Sequence, residues 1–206
     1  MVVLNMQPPA VGKVMTEPKP ILKIKDLSVS RSGKVVIHDI DLTVNEGEFI
    51  GLVGPNGSGK STLLLAILGV LKSQTGTIGI YGYKPMSRNL LGKIGWVSQA
   101  ASVMPKNVRI TVRELIHLGT LNSKNMFFLR RGVHREKVNA AIKMVGLEDV
   151  ADHDIARLSG GQRQRAVIGR ALASDAEFIL LDEPLVGIDR DSRNSLLKLL
   201  DTLCHE

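Results

Sequence analysis

Cysteine is nearly missing from this sequence: Cys204 is the only one among 206 residues. No intrachain disulfide can form, and the composition suits a reducing compartment such as the cytosol. Long apolar runs are missing as well. The longest near the centre, Leu63 to Leu71, is flanked by Lys60 and Lys72 and falls well short of the roughly 20 residues a membrane-crossing helix needs. The sequence therefore predicts no membrane-spanning segment. The N-terminus, MVVLNMQPPAVGKVMTEPKP, has neither the basic start nor the long apolar stretch of a signal peptide. Four of the eight prolines (Pro8, Pro9, Pro18 and Pro20) fall there, so residues 1–20 are expected to form a flexible tail. There is no internal repeat. His117, His134 and His153 lack the paired spacing of a zinc site and are expected at surface or packing positions.

Acidic residues are scarce in one stretch. Between Lys106 and Lys143 nine basic residues are opposed only by Glu114 and Glu136, which places essentially the whole net charge of +7 there. A surface of that kind can face nucleic acid or anionic lipid. The charge by itself is read as a solvated helical face.

What is present is an α/β pattern. Leu22, Ile24, Leu27 and Val29 suggest a strand with an irregularity at Lys25-Asp26, and Ile40, Leu42 and Val44 alternate as in a half-buried strand. Arg31-Ser32-Gly33-Lys34 reads as the turn between them. Phe49 to Val53 is a short continuous apolar run, predicting a buried strand. A glycine-rich loop follows, and then a helical pattern from Lys60 to Leu71. Thr75 to Tyr83, Lys93 to Ser98 and Phe178 to Asp182 predict further strands. Residues 100–157 read as mainly helical, with Arg113 to Leu118 and Arg135 to Val145 the clearest segments. Leu196, Leu199, Leu200 and Leu203 recur at helical spacing. Strands joined through helices predict an α/β core interrupted by a helical insert.

Two motifs carry chemistry. Gly54-Pro55-Asn56-Gly57-Ser58-Gly59-Lys60-Ser61 matches the phosphate-loop pattern, with an apolar strand before it and a helix after. Small residues let backbone N–H groups turn inward around phosphate oxygens, and the helix start adds a positive dipole end. Lys60 can reach the outer phosphates, Ser61 can ligate Mg²⁺, and Thr62 can contact a phosphate. This predicts binding of a nucleoside triphosphate. The second motif is Phe178-Ile-Leu-Leu-Asp182-Glu183-Pro184, two carboxylates at the end of a buried strand, where α/β sheets bind ligands. Asp182 suits Mg²⁺, and Glu183 suits a general base for the attacking water.

Leu158-Ser159-Gly160-Gly161-Gln162, followed by Arg163-Gln164-Arg165 and the Ala-rich stretch Ala166 to Ala173, lies between these motifs. Here the chain resembles the nucleotide-binding domain of ABC transporters, from about Leu22 to the C-terminus. The resemblance implies a P-loop NTPase (RecA-like) core with an N-terminal antiparallel β subdomain and an inserted helical signature subdomain, over residues 21–206. It implies ATP and Mg²⁺ as ligands. Gln99 corresponds to the Q-loop glutamine, which touches Mg²⁺ and the attacking water and senses the membrane partner. Asp189, in Gly187-Ile188-Asp189, corresponds to the D-loop at a dimer interface. Two domains are expected to pack head to tail, so that Ser159, Gly160, Gly161 and Gln162 of one chain cap the γ-phosphate held by Lys60 of the other.

The implied partners are an integral membrane permease, a second copy of the ATP-binding subunit and an extracytoplasmic substrate-binding protein, at the cytoplasmic face of the membrane. No nucleic acid is expected among them; a non-transport ABC-type ATPase acting on nucleic acid is the less favoured alternative, because such proteins usually carry tandem domains or long coiled-coil inserts, which this sequence lacks. The segments Ile94-Gly-Trp-Val-Ser-Gln99, Val112 to Gly119 and Leu185-Val-Gly-Ile-Asp189 resemble importers of zinc or manganese, with importers of iron chelates or cobalamin as the alternative.

The sequence also departs from the family. Arg31 stands where an aromatic residue usually stacks on adenine; a guanidinium plane can take that role. Gly187 stands where serine or alanine is common. His205 is the only histidine after Glu183 and follows a helical pattern, so it is expected to end a helix and not to serve as the family's switch histidine. On this reading the C-terminal end of the domain is incomplete, and hydrolysis by the chain is expected to be weak.

Overall fold

A computed structural model describes residues 2–5, 19–99, 109–121, 131–174 and 176–205. Seven strands and five α-helices are placed among them. In chain order they are β1 (Val2–Asn5), β2 (Pro20–Arg31), β3 (Lys34–Asn45), β4 (Phe49–Gly51), α1 (Lys60–Ile67), β5 (Thr75–Ile80), β6 (Ile94–Val97), α2 (Val112–Gly119), α3 (Arg131–Met144), α4 (Gly160–Leu172), β7 (Phe178–Leu181) and α5 (Arg190–His205). They build two sheets, one of order β4-β1-β7-β6 and an antiparallel one of order β3-β2-β5.

The centre of the molecule is β7. All four of its side chains are fully buried, which is why its sequence is continuously apolar rather than alternating. Successive residues serve different cores. Ile179 and Leu181 join the core made with α2, α3, α4 and α5. Phe178 and Leu180 join the one made with α1 and the antiparallel sheet. Full burial of such side chains stabilises the fold by about 1.5–3 kcal/mol each, so this strand end is held firmly where its two carboxylates emerge.

The antiparallel sheet follows its pattern closely. The irregularity at Lys25-Asp26 is a register shift on both neighbouring strands, between Ile24 and Leu27 against β3 and between Lys25 and Ser28 against β5. Asp26 takes a positive φ of 49° there, and its N–H donates to Asp41 Oδ1 at 2.8 Å. The turn at Ser32-Gly33 joins β2 to β3.

The helical unit is built on caps. Thr111 and Glu114 form a capping box at the start of α2. Arg113 forks onto Asp152 at 2.7 and 3.2 Å and donates to Asn139 at 2.7 Å. Part of the basic cluster is thus engaged by an acid outside it. His117 and His134 meet edge to face, 5.9 Å between ring centres, with His134 buried. They pack helix against helix, as expected of histidines without ligand spacing.

Several expectations are corrected. The flexible tail is wrong at its start: Val2–Asn5 is a strand. Val-Val-Leu is a β-forming run, and the prolines at 8, 9 and 18 come after it. Pro20 opens β2, where a first-residue proline leaves the ladder intact. Residues 6–18 of that tail lie outside the described residues, as do 100–108 and 122–130 of the helical insert. The run Phe49 to Val53 is not a buried strand throughout. The strand ends at Gly51, on the edge of its sheet, and Val53 is 98% exposed. The helix from Lys60 stops at Ile67, not Leu71, because Gly69 takes a positive φ of 76°. No helix among the described residues is long and apolar enough to cross a membrane.

Candidate functional site

The phosphate-loop residues connect β4 to α1. Gly59 has φ +92°, and a Cβ there would meet the Ile37 side chain and lie 3.4 Å from the Val36 carbonyl. The loop is therefore pressed against β3 at a point where only glycine fits. Gly59→Ala is expected to destabilise the protein by about 1–3 kcal/mol and to weaken nucleotide binding. Thermal unfolding with and without ATP measures both effects. Lys60 Nζ donates to the carbonyls of Gly54 and Pro55, each at 2.9 Å, so the loop holds its own cation at its mouth. Ser58 N–H donates to the Pro55 carbonyl at 3.2 Å.

The acidic strand end lies against this loop. Ser61 Oγ donates to Asp182 Oδ1 at 3.2 Å across 121 residues of chain. Asp182 is anchored in turn by its N–H, which donates to the Val97 carbonyl at 2.9 Å. Next to it, Gln99 Nε2 donates to Glu183 Oε2 at 2.9 Å. Glu183 adopts φ +49°, an uncommon conformation for a residue with a side chain, which persists only where the surroundings impose it. The two oxygens at Ser61 and Asp182 are hard donors of the kind Mg²⁺ takes, so the residues present fit that ion.

These groups share one recess of about 420 Å³ lined by Arg31, Val36, Asn56, Gly57, Gly59, Lys60, Ser61, Thr62, Gln99 and Glu183. Of the loop residues, Gly54, Pro55 and Ser58 do not line it, and Asp182 sits behind Ser61. Arg31, at the end of β2, lines the same recess as Glu183. Val36 was not singled out in the sequence. Its only signal is its place just after the Ser32-Gly33 turn, which brings the start of β3 beside Arg31.

The signature residues lie elsewhere. None of Ser159, Gly160, Gly161 and Gln162 lines the recess. Ser159 and Gln162 form a capping box on α4, with contacts of 3.0 and 3.2 Å. A Cβ on Gly161 would come within 2.7 Å of the Ser192 side chain, so the starts of α4 and α5 approach closely. Asp189 accepts from the Ser192 N–H at 2.9 Å. That backbone contact holds its carboxyl below the usual carboxylate range. Asp189 and the signature thus form a second cluster away from the recess lining, with Ser159 and Asp189 exposed and Gly161 buried. His205 is the last residue of α5.

Residues 37–186 match the family model described as ABC transporter. The zinc uptake system ATP-binding protein ZurA of Listeria monocytogenes is 38% identical over 90% of this chain and 72% of its own length. The manganese transport system ATP-binding protein MntB of Bacillus subtilis is 35% identical over 88% of this chain and 72% of its own. Among solved structures, an inward-facing metal-chelate type ABC transporter superposes with a TM-score of 0.75 at 26% identity, covering 91% of this chain and 69% of that one. The architecture is that of the P-loop NTPases.

Proposed function

Because this chain belongs to the ABC transporter family as one of its ATP-binding subunits, we propose that it hydrolyses ATP at the recess described above to drive a permease importing a divalent metal ion, zinc or manganese. The observation that carries the site is the meeting of phosphate loop and acidic strand, through Ser61 with Asp182 and Gln99 with Glu183. ATP lies with its base toward Arg31 and its phosphates in the loop from Gly54 to Ser61, with Lys60 and Thr62 at their oxygens. Ser61, Asp182 and Gln99 would hold Mg²⁺. Bound there, Mg²⁺ neutralises charge on the outer phosphates.

Glu183 accepts a proton from water as its oxygen bonds to the γ-phosphorus, and the bond to the β-phosphate oxygen breaks to leave ADP and phosphate. Gln99 orients that carboxylate and that water. Ser159, Gly160, Gly161 and Gln162 do not line the recess; they would cap the γ-phosphate from a second copy packed head to tail, with Asp189 at the dimer interface. Closure of that dimer on ATP and its reopening after hydrolysis would move the permease at the cytoplasmic face of the membrane, with an extracytoplasmic binding protein delivering the cargo.

The metal assignment is supported by the names of the relatives ZurA and MntB. A second reading, import of a metal chelate or cobalamin, is favoured by the superposed metal-chelate type transporter. Deleting the gene and measuring cellular metals in metal-poor medium separates them. Lower zinc or manganese is expected. Unchanged zinc and manganese with defective uptake of iron chelate or cobalamin would move the assignment to the second reading.

A further inference from the structure

The antiparallel sheet contributes two residues to the nucleotide recess, Arg31 at the end of β2 and Val36 on β3. The other lining residues belong to the phosphate loop and the start of α1, or follow the ends of β6 and β7. With the loop and α1 on the phosphates, and Gln99 and Glu183 at the attacking water, Arg31 and Val36 are left for the base. Among the described residues no aromatic side chain lines the recess, so a purine finds no ring to stack on.

What it finds is a cation with nothing else to hold. Arg31 is exposed, and its side chain makes no hydrogen bond or ion pair among the described residues. Lys60, the other cation of the recess, is already held by two loop carbonyls. A guanidinium presents five donors and no acceptor, and the Val36 side chain has neither. Guanine's edge carries two adjacent acceptors, O6 and N7, whereas adenine sets its N6 amino donor beside N7. The guanidinium fork therefore matches guanine at both atoms. Against adenine it meets one acceptor and one donor, and neither Arg31 nor Val36 offers the amino group a side-chain acceptor.

We propose that the recess also takes GTP as a substrate and binds it in preference to ATP, with Arg31 as the residue that selects the base. The phosphates of the two nucleotides are the same, so the chemical step is unchanged. The water oxygen bonds to the γ-phosphorus, its proton passes to Glu183, and the bond to the β-phosphate oxygen breaks to leave GDP and phosphate. The inference rests on the ATPase site proposed above.

The test uses the full 206-residue chain, with Arg31→Ala and Arg31→Tyr beside it. The side chain is exposed and unbonded, so neither replacement removes a contact on which the fold depends. Affinities for ATP, GTP, ITP and inorganic tripolyphosphate are measured by titration calorimetry. ITP keeps guanine's O6 and N7 without its 2-amino group. In the wild type GTP and ITP should bind about threefold to tenfold more tightly than ATP, the low end for a two-point guanidinium contact because this one faces solvent. Arg31→Ala should remove that advantage and leave tripolyphosphate affinity unchanged. Arg31→Tyr, which supplies a ring in place of the donors, should stack on either purine and likewise abolish the preference. Phosphate release from the wild type should show GTP and ATP turned over with similar kcat, the difference appearing in KM.

ATP bound as tightly as GTP by the wild type overturns the proposal. So does a GTP-to-ATP ratio that Arg31→Ala leaves unchanged. A loss of tripolyphosphate affinity in Arg31→Ala equal to the loss of GTP affinity overturns it too, because Arg31 then holds phosphate and not base. The site itself fails separately. If Lys60→Ala leaves tripolyphosphate affinity untouched, the phosphates do not lie in the loop. If Lys60→Ala weakens it and ATP is still preferred, only the base selectivity is refuted.

Discussion

Replacing Glu183 by glutamine is expected to lower ATP hydrolysis by about two to four orders of magnitude, the usual worth of a positioned general base, with Mg-ATP binding retained. Glutamine keeps the shape of the carboxylate and its ability to accept from Gln99 Nε2, now 2.9 Å away, but it cannot take a proton from water. The backbone at Glu183 lies in the left-handed region, and glutamine tolerates that no better and no worse. A stability difference therefore does not confound the comparison. Phosphate release and nucleotide binding measured on the same preparation check the prediction. With the signature residues lying outside the recess, the variant should also accumulate as an ATP-bound dimer, seen as an earlier elution on sizing chromatography with ATP. Hydrolysis at the wild-type rate would remove Glu183 from the chemistry.

The second large effect is expected at Lys60. Charge-assisted contacts to a phosphate contribute about 1.5–3 kcal/mol, so Lys60→Ala should weaken ATP binding by roughly tenfold to a hundredfold or more. AMP, which lacks the outer phosphates, should lose far less. The free protein changes too, since Lys60 Nζ bridges the carbonyls of Gly54 and Pro55 at 2.9 Å each. Losing that bridge loosens the loop for any nucleotide, and the ATP-to-AMP difference isolates the phosphate contact from the loosening. Titration calorimetry with both nucleotides reads it directly; an equal loss for the two would mean that Lys60 only ties the loop together.

Much of this site was legible in the sequence because its motifs encode local geometry. The glycines of the phosphate loop announce a backbone turned toward a ligand, and the apolar run Phe178 to Leu181 announces a strand covered on both faces, which it is. Even the kink at Lys25-Asp26 was readable from the break in alternation. The misses share one cause, namely that tertiary pairing decided them. Val2-Val-Leu-Asn has strand-forming residues, but nothing local says that β4 and β7 leave a place for it between them. The apolar residues after Ile50 look buried, yet β4 lies at a sheet edge, and Val53 is exposed where the chain leaves it. Val36 has no chemistry of its own and lines the recess only because β3 folds back beside Arg31. His117 and His134, 17 positions apart in sequence, meet only because α2 packs on α3.

The central claim is that the phosphate loop and the acidic strand end hold one metal–nucleotide complex between them, through Ser61 and Asp182. The most direct measurement is Mn²⁺ electron paramagnetic resonance, with Mn²⁺ standing in for Mg²⁺, on the wild-type chain and on Asp182→Asn, each saturated with ATP. The account predicts one protein-bound Mn²⁺ per bound ATP in the wild type. In Asp182→Asn it predicts metal affinity weaker by about tenfold or more, as expected for losing one charged ligand, with ATP still bound by the loop. Equal Mn²⁺ affinity and identical spectra in the two proteins would contradict it.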